Sequence, residues 1–213
     1  MAVAVGLGVG GLAAGLLLGS WLGRQRYRYD DETHLPRRRV WWVVPALGLG
    51  EAVLGWRLAG TPAVLATFAL ALVWMIGLAA IDVDVRRLPD RWTLPAYPAA
   101  ALLLAGCAVG EGAWGSWWSA LGCAVGSGVA YLVLSMLNPA GLGLGDVKLA
   151  GGIGMLTGWF GWPAAFAAIF VAFVLGGLVG VVVAVRTGAG RKATFPFGPA
   201  MLAAAYVVVL TSG

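Results

Sequence analysis

Eight apolar runs, most of them long enough to cross a bilayer, constrain this chain more than any other feature. They are residues 2–22, 40–58, 63–81, 93–110, 116–137, 147–160, 163–185 and 196–210. Hydrocarbon offers the backbone no water to bond, so a span must satisfy its own N–H and C=O groups, and a helix of about 20 apolar residues does so. The expected fold is all-α: a polytopic membrane helix bundle of about eight transmembrane helices. Composition agrees, since only 11% of the 213 residues are charged and 61% are hydrophobic, where a soluble domain carries roughly 25% charge. The run 147–160 is the marginal one, reaching only about 21 Å at 1.5 Å per residue.

Charge sets the orientation. No Lys or Arg precedes the first run, and Arg24, Arg26 and Arg28 follow it. A cleaved signal peptide is basic first and apolar second, so a retained span with its N-terminus outside is expected. Eight spans from that start put residues 23–39, 82–92, 138–146 with the adjacent Lys148, and 186–195 in the cytoplasm. Those segments hold 13 of the 14 Lys and Arg residues, Arg57 being the exception. This follows the positive-inside rule. The net charge of +5 is spread between spans rather than over one soluble face, so lipid and not nucleic acid is the expected contact.

Carboxylates at a membrane edge are costly and need a reason. The chain has nine acidic residues, and three of them, Asp82, Asp84 and Asp90, fall in one stretch after the third run. Asp146 lies in the equally apolar Gly143-Leu144-Gly145-Asp146-Val147-Lys148. The topology above places Asp82 and Asp146 on one face of the membrane. Two carboxylates brought together at a low-dielectric boundary tend to share one proton, which is what an aspartic protease requires. The ionised member draws a proton from water, and the protonated one donates to the peptide carbonyl. Gly143 and Gly145 are expected to give the backbone φ > 0 freedom and close approach to a substrate strand. Asp84 and Asp90 are expected in support, positioning loops or capping the fourth helix, and the charges of 84–91 read equally well as exposed ion pairs. Lys148 reads either as a snorkelling cytoplasmic lysine or as a charge acting on Asp146.

Three motifs in order resemble the prepilin peptidases (type IV leader peptidases), over about residues 63 to 210. Ile81-Asp82-Val83-Asp84 through Leu88-Pro89-Asp90, with Leu94-Pro95, is similar to their first signature. Gly143 to Lys148 is similar to their GxGD-x-K signature, and Phe195-Pro196-Phe197-Gly198-Pro199 to their PFGP segment. The resemblance implies a membrane aspartic endopeptidase that removes the basic leader from type IV pilin-like precursors at the cytoplasmic face, just before the substrate's hydrophobic segment. It implies that Asp82 and Asp146 are the catalytic pair, with Asp84, Asp90, Gly143, Gly145 and Lys148 as supporting residues. The implied location is the bacterial cytoplasmic membrane, multi-pass, with the site facing the cytoplasm. Larger members carry a domain with paired CxxC motifs between the first two spans, associated with N-methylation. Here that interval is Gly23 to Arg39, without cysteine, so the resemblance does not extend to methyltransferase activity. The implied division is 1–62, the N-terminal spans with their short loop, and 63–213, the peptidase core.

Other features read as packing. Gly6, Gly8 and Gly11 match GxGxxG, but no strand precedes them, and small residues at this density suit close helix contact. The pairs Gly11 with Gly15 and Gly122 with Gly126 read the same way. Cys107 and Cys123 lie in different runs, and His34 is a lone histidine in a polar loop. No metal and no other cofactor is expected from them. A proton-coupled transporter using the same aspartates is the alternative reading, though no internal repeat supports it. An inactive scaffold is a further one, against which the retention of both aspartates argues.

Overall fold

The computed structural model describes residues 1–36, 38–137, 141–188 and 195–212. Nine helices form among them: α1 (Ala2–Gly23), α2 (Val43–Arg57), α3 (Pro62–Val85), α4 (Asp90–Thr93), α5 (Ala96–Glu111), α6 (Trp114–Leu137), α7 (Leu144–Gly158), α8 (Trp162–Thr187) and α9 (Gly198–Thr211). A 3₁₀ turn, Asp30–Glu32, interrupts the link between α1 and α2. All the helices but α4 correspond to the eight apolar runs, and the chain is a polytopic helical bundle. Five segments are long and apolar enough to cross a membrane: α1, α3, α4 with α5, α6 and α8. The helices α2, α7 and α9 have 15, 15 and 14 residues, and at 1.5 Å per residue they reach only about 21–23 Å.

Helix starts and stops follow local chemistry. Proline lies at the first or second position of α3, α8 and α9, where its missing N–H has no intrahelical partner to lose. The helix α3 runs four residues past the apolar stretch and stops at Arg86, which adopts the left-handed conformation with φ 53°. The helix α7 begins at Leu144, ahead of the expected Val147, so Asp146 sits inside its first turn.

The core lies along α3 and α7. Every residue of α7 from Leu149 to Gly158 is buried. Glycine makes this possible, since a Cβ at Gly154 would stand 2.5 Å from the Cys123 carbonyl oxygen and one at Gly158 would stand 2.5 Å from Cys123 Cβ. The helices α6 and α7 therefore pack backbone to backbone. The pair α1 and α2 does the same, with Gly11 against Leu47 O and Gly15 against Val44 Cα. Gly8 lies against Ala52, whereas Gly6 has nothing near it. Gly122 and Gly126 instead make room for the ring of Trp162 on α8. Cys107 and Cys123 are buried free thiols.

Arg57 ties the far end together. Its guanidinium donates to the carbonyls of Leu210 and Ser212 at 3.0 and 3.1 Å, closing the C-terminus of α9 against that of α2. At the opposite end α3 terminates and α7 and α9 begin, and the acidic residues gather there.

Candidate active site

Asp82 lies in the last turn of α3, and Asp146 is the third residue of α7. Both line one cavity of about 380 Å³, together with Gly143, Gly145, Asp90 and Lys148. Asp82 is only 5% exposed, and its carboxylate feels the negative charge of Asp146.

Each carboxylate is held by one backbone N–H at a helix start. Gly143, the residue preceding α7, donates to Asp146 Oδ2 at 3.0 Å. Gly198, the first residue of α9, donates to Asp82 Oδ2 at 3.0 Å. Helix N-termini carry unsatisfied N–H groups and a partial positive charge, so they suit an anionic oxygen. Among the described residues, Oδ1 of each carboxylate takes no protein donor, which leaves one oxygen per carboxylate for a water or a substrate group.

The glycines of the 143–146 stretch do not act through φ > 0. Gly143 has φ −82° and ψ 158°, an extended conformation open to any residue. Gly145 is helical, and among the described residues the positive-φ glycines are Gly112, Gly161 and Gly188. Nor is either short of space: a Cβ at Gly143 would sit 3.6 Å from Asp146 Oδ2, and one at Gly145 would sit 3.4 Å from Leu88 Cβ. Both are ordinary contacts, so neither position requires glycine for backbone conformation or for space within the protein.

Asp84 and Asp90 part company. Asp90 is the first residue of the short α4 and makes no side-chain cap there, and α5, the helix of the fourth apolar run, also starts without a side-chain cap, so the capping alternative for Asp90 fails. Its carboxylate pairs with Lys148 Nζ at 2.7 Å, at the exposed rim of the cavity. Lys148 is thus engaged by Asp90, and its own carbonyl accepts the Tyr97 hydroxyl. Asp84 is not part of the cavity lining. It is buried with Arg28, their side chains 2% and 3% exposed. Arg28 Nε and Nη2 donate to its two oxygens at 2.9 and 2.8 Å, and Tyr27 Oη donates at 2.6 Å.

That pair anchors the link between α1 and α2. Arg28 also donates to the carbonyls of Leu35 and Pro36, so one guanidinium gathers the first part and the middle of the link onto the end of α3. Burial, and then the neighbouring Asp84 carboxylate, push the Tyr27 phenol up. A second tie joins Glu32 to Arg87, a residue of the cavity wall. Arg87 also donates to the Tyr27 carbonyl at 2.9 Å and lies 3.8 Å over the Tyr29 ring. The bonded guanidinium holds the Glu32 carboxyl below its ordinary range. The sequence marked Asp84 as support and Arg28 and Arg87 only as loop charges, it gave Tyr27 and Glu32 no role, and Gly198 appeared only as part of a motif. Among the residues without an expected role, Gly198 alone had a visible signal, a glycine between Phe197 and Pro199 in a motif already noted.

A profile of the type IV leader peptidase family matches residues 69–181, just over half of the chain. The chain belongs to this family. The match to the type IV leader peptidases takes in Asp82 and Asp146 and ends before Gly198. Curated relatives extend the likeness. A protein named prepilin leader peptidase/N-methyltransferase from Burkholderia pseudomallei strain 1026b is 33% identical over 149 residues, 66% of this chain and 44% of its own. A Pseudomonas putida protein of the same name is 30% identical over 187 residues, 82% of this chain and 60% of its own. One from Aeromonas hydrophila is 31% identical over 154 residues, 67% of this chain and 48% of its own. The chain thus spans about half the length of the relatives it matches. No solved structure matches it.

Proposed function

We propose that this family member is an aspartic endopeptidase that removes the leader from type IV pilin-like precursors at the cytoplasmic face of the membrane. The observation that carries the reading is one cavity shared by two carboxylates from distant parts of the chain, each held by a single backbone N–H. Fixed on one oxygen and open on the other, the two carboxylates suit a water between them. One accepts a proton from that water as it attacks the scissile carbonyl, and the other donates a proton to the carbonyl oxygen. The reaction needs no cofactor.

The cytoplasmic assignment rests on the distribution of Lys and Arg, 13 of 14 on one side. Arg28, Arg86, Arg87, Arg91 and Lys148 belong to that side and surround the cavity or its loop. Substrate class comes from the relatives' names, and the proposal takes only their peptidase half. The interval between α1 and α2, where larger members carry cysteines, is here occupied by a short loop without them. No observation favours a proton-relay reading of the same aspartates.

The test is a cleavage assay with purified protein and a pilin-like precursor in detergent. Asp82→Asn and Asp146→Asn each abolish cleavage while the variants accumulate in the membrane at wild-type levels. Cleavage that survives both substitutions sinks the dyad assignment.

A further inference from the structure

The segment that brings Gly198 to Asp82 is seated on α8 by two aromatic rings. A Cβ at Gly176 would stand 2.2 Å from Cε2 of Phe197, and one at Gly180 would stand 2.9 Å from Cε1 of Phe195. Neither slot tolerates even a methyl group without moving its ring. The adjacent Gly177, by contrast, has nothing within 4 Å of its Cβ position. Two glycines of α8 therefore lie under rings, and a third beside them does not.

The two repeats match in length. Gly176 and Gly180 lie four residues apart on one face of the helix, a rise of about 6 Å. Phe195 precedes Pro196, which biases it towards extended backbone, and two residues at a polyproline rise also cover about 6 Å. The segment runs antiparallel to α8, with 195 over 180 and 197 over 176. Phe173 closes the side of the slot, its ring centroid 5.7 Å from that of Phe197. Gly198 follows directly. Its N–H reaches Asp82 Oδ2 at 3.0 Å, and a Cβ there would stand 2.6 Å from the same oxygen. The contact has little tolerance in either direction, so a displaced Phe197 ring carries the amide off the carboxylate.

We propose that Gly176 and Gly180 are positioning residues for Asp82: they seat Phe197 and Phe195 so that the Gly198 amide fixes one carboxylate oxygen. The catalytic importance of Asp82 rests on the function proposed above, whereas the seating itself does not. Two measurements on the purified full chain separate them. The first is the rate at which a carbodiimide modifies Asp82 and Asp146, read by peptide mass spectrometry. The second is steady-state cleavage of a pilin-like precursor.

In Gly176→Ala, Asp82 is modified several-fold faster and Asp146 at the wild-type rate, while kcat falls about tenfold or more, the scale of one hydrogen bond to a charged group, at unchanged KM. Adding Phe197→Leu to Gly176→Ala frees the space and returns both readouts towards wild type. Gly177→Ala behaves as wild type in both. The proposal is overturned if Gly176→Ala leaves Asp82 modification unchanged, or if both aspartates become reactive together with loss of helical circular dichroism. It is also overturned if Phe197→Leu restores nothing. If the labelling pattern holds but the wild-type protein cleaves no precursor, the seating stands and the peptidase reading falls.

Discussion

Replacing Arg28 with methionine removes a charge and keeps most of the side chain's length, so it isolates the buried ion pair beneath the loop. Arg28 and Asp84 are almost fully shielded, 3% and 2% exposed, and joined by two hydrogen bonds of 2.9 and 2.8 Å. Screening therefore weakens the pair little. Removing one partner leaves a buried carboxylate whose remaining donor is the Tyr27 hydroxyl. A buried pair broken from one side costs about 3–5 kcal/mol. The bonds from Arg28 to Leu35 and Pro36 are lost as well, but those carbonyls lie at the surface end of the loop, where water replaces much of the interaction. Unfolding by SDS titration in mixed micelles should place Arg28→Met about 3–5 kcal/mol below wild type. Asp84→Asn in the same background removes the stranded charge and should recover a large part of that loss. An Arg28→Met variant within about 1 kcal/mol of wild type, the range of an exposed pair, refutes the reasoning. So does a double variant no more stable than the single one.

Gly198→Ala places a Cβ 2.6 Å from Asp82 Oδ2, so cleavage should fall at least about tenfold, the scale of a lost bond to a charged group, measured as kcat in detergent. Gly145→Ala meets only an ordinary 3.4 Å contact with Leu88 in a helical position; its stability should match wild type or exceed it by up to about 1 kcal/mol in the same unfolding assay, because alanine is the better helix former. Arg87 holds Glu32 below the ordinary carboxylate range, so the stabilisation from this contact is complete above a pH of about 4.3 and disappears as pH falls through the lowered folded value. Loop 24–36 should accordingly resist an acid-stable protease at about pH 5 and become progressively more susceptible as the pH falls below about 4.3, and Glu32→Gln should shrink that transition.

The membrane spans were legible because lipid imposes one rule on every backbone polar group, and apolar length reports it directly. The two aspartates of the cavity were legible for a related reason: a carboxylate beside a span is costly enough to stand out. The sequence did not separate Asp84 from Asp90, because the third helix was expected to end at residue 81. It continues to Val85, and two helical residues point about 200° apart, so Asp82 and Asp84 face opposite sides. Arg28 was one of six arginines in its loop, and its partner lies 56 residues away. Gly198 lies 116 residues from the carboxylate it holds. Pairings at such separations leave no periodicity in the sequence, and only the packed helices reveal them. The glycines of residues 143–145 were read for backbone freedom because their motif permits it, whereas the start of α7 at Leu144 made that freedom unnecessary.

The central claim is that Asp82 and Asp146 act together to cut a pilin-like precursor. Its most direct test is N-terminal sequencing of such a precursor after co-expression with the wild-type chain or with either aspartate replaced by asparagine. The account predicts a new N-terminus just before the precursor's hydrophobic segment with the wild-type chain, and the intact leader with each variant. A mature N-terminus that forms equally with Asp82→Asn and Asp146→Asn contradicts it.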